Sequence, residues 1–366
     1  MRKASKERNV WKRLRRNKGA LSGLVIIGIS ILIAIFAYFI APDGSPAANR
    51  MIVEIGGQKP GYKQQFLKLP RQKEATNESF FERLFFGKED EAEFIPINSY
   101  SEKADSLIIQ QYIDEGVEER KSYAFNEFQK TSASGNKPYE IETIRFRLGT
   151  DKYGRDILSR LLIGVRVSLG VGLVTVIISL SIGVLLGALA GYFRGWVDEL
   201  VMWFINVIWS IPTLLLVFAI TLVLGKGFWQ IFVAIGLTMW VSVARIIRGQ
   251  VLSVREMEYV EASKALGYSH TRILFRHVLP NVMGPVLVVA ASNFASAIVI
   301  EAGLSFLGVG VQPPQPSWGL MIKENYNFII TNNPMLALAP GFAIMILVLA
   351  FNMLGNGLRD ALQVKE

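Results

Sequence analysis

Cysteine is absent from all 366 residues, which excludes disulfides, thiol nucleophiles and thiolate metal ligands. Histidine is nearly absent. His270 and His277 are the only two, too few for a multi-histidine metal site. No G-x4-G-K-[ST] phosphate loop occurs. Gly225-Lys226 comes nearest, but Ile220 stands where the leading glycine must be. ATP hydrolysis by this chain is therefore not expected. The G-x-S-x-G and H-E-x-x-H patterns of hydrolases are missing too. No basic cluster is interleaved with aromatics in a soluble module, so the net charge of +9 does not point to nucleic acid.

What is present is apolar and strongly segregated. Hydrophobic residues make up 51% of the chain, the mean hydropathy is +0.34, and the apolar residues gather into runs. A charge-free run of about 18 residues or more can cross a bilayer as a helix. Leu21–Ala41 is the first. Arg2, Lys3, Lys6, Arg8, Lys12, Arg13, Arg15, Arg16 and Lys18 precede or open it, against the single acid Glu7. A signal peptide has a shorter apolar core, so this run reads as an uncleaved anchor with its basic flank in the cytoplasm.

Further spans are predicted at Val167–Tyr192, Leu200–Leu224, Gly227–Ala244, Val282–Glu301 and Met335–Leu354, with Pro212, Pro285 and Pro340 inside them. Gly183, Gly187 and Gly191 recur at four-residue spacing, which suits close approach of helix backbones in a membrane. Six crossings put both termini on one side. With the N-terminal flank inside, the loop holding Arg245, Arg248, Arg255, Lys264, Arg272 and Arg276 is inside as well. Arg245 and Arg248 are expected to snorkel to that surface. Arg145, Arg147, Lys152, Arg155, Arg160 and Arg166 oppose the charge rule, since this topology places them outside.

From Pro42 to about Ile144 the chain mixes acids with bases. The stretches Glu78–Phe86 and Glu102–Lys130 look amphipathic, and Pro60, Pro70, Pro96 and Pro138 punctuate them. Aromatic and aliphatic residues recur often enough to predict a small folded domain, expected to be α-rich.

Three stretches stand out as motifs. Leu148–Leu162, LGTDKYGRDILSRLL, joins a Gly/Asp-rich turn (Gly149, Thr150, Asp151, Gly154, Arg155, Asp156) to an amphipathic helix start. Asp151 and Asp156 can be read as an acid pair or metal site, or as helix caps with an ion pair to Arg155. Leu304–Ile322, LSFLGVGVQPPQPSWGLMI, carries Pro313-Pro314 and Pro316, which cannot continue a helix, and Trp318, which suits a membrane–water interface. Just before it Glu301 is the one acid inside an apolar span, a candidate for substrate contact or for a hydrogen-bonded structural role.

The third stretch is Glu261–Asn281, EASKALGYSHTRILFRHVLPN. It is too polar to span, and it breaks into two short helical pieces at Gly267, where a helix can end in a left-handed turn. Ser269 can cap the second piece. Tyr259, Ala262 and Leu266 share a face of the first. An ordinary surface helix is one reading. The full spacing Glu261-Ala262-Ser263-x3-Gly267-x9-His277-Val278-Leu279-Pro280 resembles the EAA loop of ABC importer permeases. The GTDKYGRD and LSFLGVGVQPPQPSWG runs resemble boxes of the oligopeptide/dipeptide permease group, most like its C-type subunit. The likeness covers 1–41 and 145–366; the insert departs from it, being much longer than the usual connection.

The resemblance implies an all-α polytopic membrane protein, a type I ABC importer fold of six transmembrane helices with a soluble insert between helices 1 and 2. The expected divisions are 1–41 (basic tail and first span), 42–146 (external insert), 147–166 (box and lead-in helix), 167–357 (five-helix core with coupling loop 255–281) and 358–366 (cytoplasmic tail). It also implies an inner-membrane subunit that imports peptides without an ATPase site or cofactor of its own. Its partners would be a homologous second permease, two cytoplasmic ATPases that bind the ATP, and an external solute-binding protein. Glu261, Ala262, Ser263, Gly267, His277, Leu279 and Pro280 would couple to the ATPases. Glu301, Leu304, Phe306, Pro313, Pro314 and Trp318 would line the external gate. Other solutes (a microcin-like peptide antibiotic, nickel or glutathione) are alternatives. A reading of a different class is an intramembrane enzyme using Glu301 or the Asp151/Asp156 pair.

Overall fold

Long apolar runs become helices, and the mixed segment between the first two becomes a sheet. The computed structural model describes residues 11–70, 79–90, 92–103, 105–128, 139–225, 227–331 and 333–362. Arg2, Lys3, Lys6, Glu7 and Arg8 of the basic flank, Glu78, Lys130, Pro138, Lys226 and the tail from 363 lie outside the described residues. In chain order the elements are α1 (Lys18–Ile40), β1 (Tyr62–Pro70), α2 (Phe80–Phe86), β2 (Ala92–Lys103), β3 (Ser106–Asp114), β4 (Val117–Ala124) and β5 (Glu140–Phe146). Helices α3 (Ile157–Phe193), α4 (Gly195–Trp209), α5 (Thr213–Leu224), α6 (Phe228–Arg255), α7 (Glu258–Ala265) and α8 (His270–Ile273) follow. After a π-turn at Leu274–Val278 come α9 (Leu279–Phe306), α10 (Trp318–Asn325) and α11 (Met335–Leu362).

Helices α1, α3, α6 and α11, and the stretch His270–Phe306, are each long and apolar enough to cross a membrane. The expected straight span Leu200–Leu224 is instead two helices, α4 and α5, bent by 93°. Pro212 causes the break: it cannot donate a backbone hydrogen bond, and it disfavours helical geometry at Ile211. The helix that holds the span expected at Gly227–Ala244 continues to Arg255.

The chain divides into two compact units, 1–32 with 167–312 and 343–366, and 33–166 with 313–342. The first is a helix bundle. Gly183, Gly187 and Gly191 of α3 lie against Trp240 and Val243, then Ala244, then Arg248 and Val251 of α6, where a Cβ would strike backbone or side chain. Contacts therefore advance in the same direction along both helices. Since α3 and α6 run parallel, the chain from Phe193 to Phe228 returns from one end of the bundle to the other. On α11, Leu362 lies by Gly284 of α9 and Phe351 stacks on Phe294 (ring centroids 4.0 Å apart), so those helices are antiparallel. Helix α1 packs antiparallel to α11 through Ala20 on Gly357 and Gly23 on Ala350. The start of α1, the end of α3, the turn between α6 and α9, and the end of α11 thus share one end of this unit.

The second unit corrects the expectation of an α-rich insert. Its centre is a five-stranded antiparallel sheet in the order β4-β3-β2-β1-β5. Within the segment Glu102–Lys130, read as amphipathic, β3 alternates with period two. Leu107, Ile109 and Gln111 of β3 are buried in alternation. Asp114 pairs with Val117 across a two-residue turn, Glu115-Gly116, with Gly116 at φ 80°. Each face of the sheet has a core. Leu67, Ile95, Ile97, Leu107 and Ile109 pack with Phe128 and Tyr139 on one side. Phe66 and Phe146 pack with Ile52 and Ile55 on the other. Pro96 pairs with Phe66 of β1, while the pairing with β3 extends only as far as Ile97. There β2 has one neighbour, so the missing N–H leaves no partner wanting.

Candidate functional site

The turn between α6 and α9 is built from local rules. Gly267 has φ 75°, and nothing lies within 4 Å of where its Cβ would be, so conformation alone demands glycine. The N–H of Tyr268 donates to Ser263 O (3.2 Å) and that of Gly267 to Lys264 O (2.9 Å). This is the paired ending of a Schellman motif. Ser269 caps the next helix by accepting from Arg272 N. Pro280 leaves Arg276 O without its usual donor, and the chain widens into the π-turn Leu274–Val278 just before it. The second piece is therefore not a short helix but the beginning of a 37-residue one.

This elbow presents most of its residues outward. Only Val260 and Ser263 of α7 are buried, and Ser263 donates to Tyr259 O (2.7 Å). Glu261, Ala262, Lys264, Leu266 and Gly267 are exposed, Leu266 to 72%. His277 stacks on Tyr268 with planes 13° apart, and its carbonyl accepts from Asn281 Nδ2, which also donates to the Tyr259 hydroxyl. Leu279 is half-buried and Pro280 exposed. The elbow is fastened to the bundle by Tyr192. Its hydroxyl lies 3.1 Å from His270 Nδ1, and its carbonyl accepts from Arg255 Nη1 at 2.5 Å. Of the Glu261-Ala262-Ser263 triplet, two residues face out and the third anchors them.

Within the same unit, a cavity of about 630 Å³ opens beside the α4–α5 break. Thr213, Thr238, Ser242, Asn293, Ser296 and Asn352 supply its polar lining, and no charged residue lines it. Trp209 forms part of its wall, and one helical turn beyond Ser242 the Arg245 guanidinium lies 3.7 Å over the Trp209 ring. Arg245 also donates to Asn206 Oδ1 (3.2 Å). One edge of the Arg248 guanidinium, Nε and Nη2, donates to the two carboxylate oxygens of Asp198. Sequence reasoning missed this cavity. Its signal was small polar residues within apolar helices, which helix packing alone also explains.

Glu301 is buried and accepts from Ser305 Oγ (2.6 Å), and Ser305 Oγ in turn accepts from Val311 N (3.0 Å). Gly310 sits so close to Ser305 that a Cβ would overlap it. Glu301 thus fixes the turn at the end of α9. Leu304 is buried and Phe306 exposed in this unit. Pro313, Pro314 and Trp318 belong to the other unit. There Pro313 and Pro314 are exposed and joined by a cis peptide bond. Trp318 is buried, donates from Nε1 to Leu161 O (3.0 Å), and lies where a Cβ on Gly164 would be.

The Leu148–Leu162 box is also in the second unit. Gly149 and Gly154 have positive φ and press on the backbone of Gln58 and Ile52. Thr150 accepts from Gln58 N (3.0 Å). Asp151 accepts from Tyr153 N, Arg155 N and Arg155 Nε. Asp156 caps α3 through Ser159, whose N–H and hydroxyl both donate to it. Burial pushes the Asp156 carboxyl up, and those two hydrogen bonds oppose the rise. Arg155 reaches on to Glu324 (2.8 Å), with Arg160 within 3.8 Å of Asp151 and 3.6 Å of Glu324. Both carboxylates are spent on structure rather than on a shared proton. Among the described residues no cluster of three His, Asp or Glu side chains could hold a metal ion.

Comparison with known proteins follows the same division. The family described as "Binding-protein-dependent transport system inner membrane component" matches residues 183–365. The "N-terminal TM domain of oligopeptide transport permease C" matches 7–52. A glutathione transport system permease protein, GsiD, from Pectobacterium atrosepticum is 40% identical over 218 residues, 60% of this chain and 72% of its own. The oligopeptide permease OppC of Bacillus subtilis is 42% identical over 217 residues, 59% of this chain and 71% of its own. The dipeptide permease DppC of Alkalihalophilus pseudofirmus has the same identity and coverage.

Proposed function

Since the chain belongs to the family of binding-protein-dependent transport system inner membrane components, we propose that it forms half of the translocation path of a peptide importer and receives the force of ATP hydrolysis at Glu261–Asn281. It is a multi-pass permease subunit of an ABC importer of the peptide/glutathione family and carries no catalytic domain. Such a component works with ATPase subunits, a binding protein and a partner permease.

The observation that carries the peptide reading is the cavity lining. A peptide passing through must exchange hydrogen bonds of its amides with water for others, without a fixed charge that would select one side chain or hold the cargo too tightly. Thr213, Thr238, Ser242, Asn293, Ser296 and Asn352 offer neutral donors and acceptors of that kind. The bent pair α4–α5 counts as one crossing, because α3 and α6 run parallel, and this makes six. The start of α1 and the end of α11 then share the elbow's side, which is the cytoplasm if ATPases grip the elbow. Arg245 on Trp209 closes the cavity toward that side. By alternation the connection 41–156 is external, where its sheet can meet the binding protein or the sister subunit. In this reading ATP-driven closure of the ATPases pushes on the exposed face Glu261, Ala262 and Leu266. Ser263, Gly267, Pro280 and the His277–Tyr268 stack hold the elbow stiff, and the bundle rocks between its two openings.

Glutathione, itself a short peptide, is the second reading, favoured by the relative named for its transport. Reconstituted transporter, with its binding protein, tests the choice. Di- to oligopeptides should stimulate ATP hydrolysis and accumulate in vesicles. Stimulation by glutathione or nickel alone, with none by peptides, would overturn the peptide reading.

A further inference from the structure

Helix α2 reads Phe80-Phe81-Glu82-Arg83-Leu84-Phe85-Phe86. Phenylalanines this dense normally turn into a core. Here no residue of α2 is buried, and Phe80, Phe81, Phe85 and Phe86 are 60%, 67%, 61% and 71% exposed.

The helix is nonetheless firmly placed. Ser79 and Glu82 close its start as a capping box. At its end Gly87, with φ 83°, lies against Tyr38 and the Gly44 carbonyl, and Lys88 N donates to that carbonyl (2.9 Å). Arg166 ties two helices together. It donates to Leu84 O and Phe85 O of α2, and to Ala34 O and Ile35 O of α1. Phe80 stacks on Phe39 of α1 at 5.5 Å, and the Arg83 guanidinium lies 4.9 Å from the same ring. So α2 is held beside the last turns of α1. There Ile35, Phe36, Phe39 and Ile40 are exposed on a helix apolar enough to span a bilayer.

We propose that α2 is an interfacial helix whose phenylalanines enter the lipid at the boundary between headgroups and acyl chains, and that it moors the β-sheet insert to the bilayer surface. The occupant of this face is lipid because the face continues the lipid-facing surface of α1, with Phe39 and Phe80 in direct contact. Phe80, Phe81, Leu84 and Phe85 share one side of α2, with Glu82 and Arg83 on the other, and a helix of this length rises only about 10 Å, so it rests in that boundary rather than crossing it. Mooring would fix where the insert stands above the membrane, and so the surface it offers to proteins arriving from that side. The inference goes beyond the transport reading and needs only that α1 is a span.

The absence of cysteine permits a clean test. Phe81→Cys and Phe85→Cys, with Tyr100→Cys on the sheet as control, are labelled with an environment-sensitive fluorophore in the assembled transporter in nanodiscs. Lipids brominated near the headgroup should cut emission at 81 and 85 about twofold and leave position 100 unchanged, while aqueous iodide should do the reverse. Iodide quenching at 81 and 85 equal to that at 100 would overturn the proposal. Protection from both quenchers would overturn it too, assigning the face to a protein partner. If either substitution prevents folding, Phe86→Cys gives the same readout from the most exposed of the four rings.

Discussion

Arg155 Nη2 and Glu324 Oε2 are 2.8 Å apart although the residues are separated by 169 positions in the chain. The Arg155 side chain is buried and that of Glu324 is 9% exposed, and Arg155 also holds Asp151 while Arg160 stands close to the same two acids. Removing one member leaves an uncompensated buried charge, which costs about 3–5 kcal/mol. Glu324→Ala should therefore lower the folded yield and the thermal midpoint of the purified chain sharply, with Glu324→Gln milder. Midpoints equal to that of the parent would contradict this arrangement.

Asp156 gives a complementary prediction. Its carboxylate accepts from Ser159 N and Ser159 Oγ, and Asn supplies an acceptor in the same place. Asp156→Asn should retain folded yield, and Asp156→Ala should lose about 1 kcal/mol as a lost helix cap. Transport per folded molecule should be the same in both. A selective loss of turnover at normal yield would show a role beyond capping.

The contrast between these residues shows what could be read from sequence. Gly267, Ser269 and Pro280 act through neighbours within a few positions, so their spacing alone specified the elbow. The acid–arginine pairing inside the Leu148–Leu162 box was visible for the same reason. Glu324 was not, because nothing near it in the chain marks it as the partner of Arg155. The sheet was missed because the stretch was read as amphipathic without separating a period of two, as at Leu107, Ile109 and Gln111, from the 3.6 of a helix; the turn Glu115-Gly116 was the overlooked discriminator. The 93° break of α4–α5 followed from Pro212, but proline within a membrane helix is compatible with a mild kink, so its size needed the packing around it.

The cavity should respond to loss of hydrogen-bonding groups. Asn352 and Ser296 line it and are exposed within the bundle. Asn352→Leu should leave assembly intact and reduce peptide uptake several-fold, since an amide passing an unpartnered stretch gives up roughly 1 kcal/mol or more. Uptake assays in vesicles check this; parental rates for Asn352→Leu combined with Ser296→Ala would remove the cavity from the path.

Arg245 and Trp209 are predicted to close that path. A guanidinium on an indole face contributes about 0.5–2 kcal/mol, so Trp209→Ala should increase leakage of a fluorescent peptide through idle transporter several-fold. Arg245→Lys should leak less than Arg245→Ala, because an ammonium keeps part of the cation–π attraction. Unchanged leakage in all three would show that the pair is only a packing contact.

The elbow carries the central claim, that force enters this subunit at Glu261–Asn281. Gly267→Pro cannot adopt the φ of 75° that ends α7 there, while nothing packs on the position that would disturb the bundle. The direct measurement is peptide uptake by the transporter assembled with its ATPases, compared between the parent and Gly267→Pro at equal amounts of inserted chain. The account predicts normal insertion with uptake abolished. Unimpaired uptake by Gly267→Pro would contradict it.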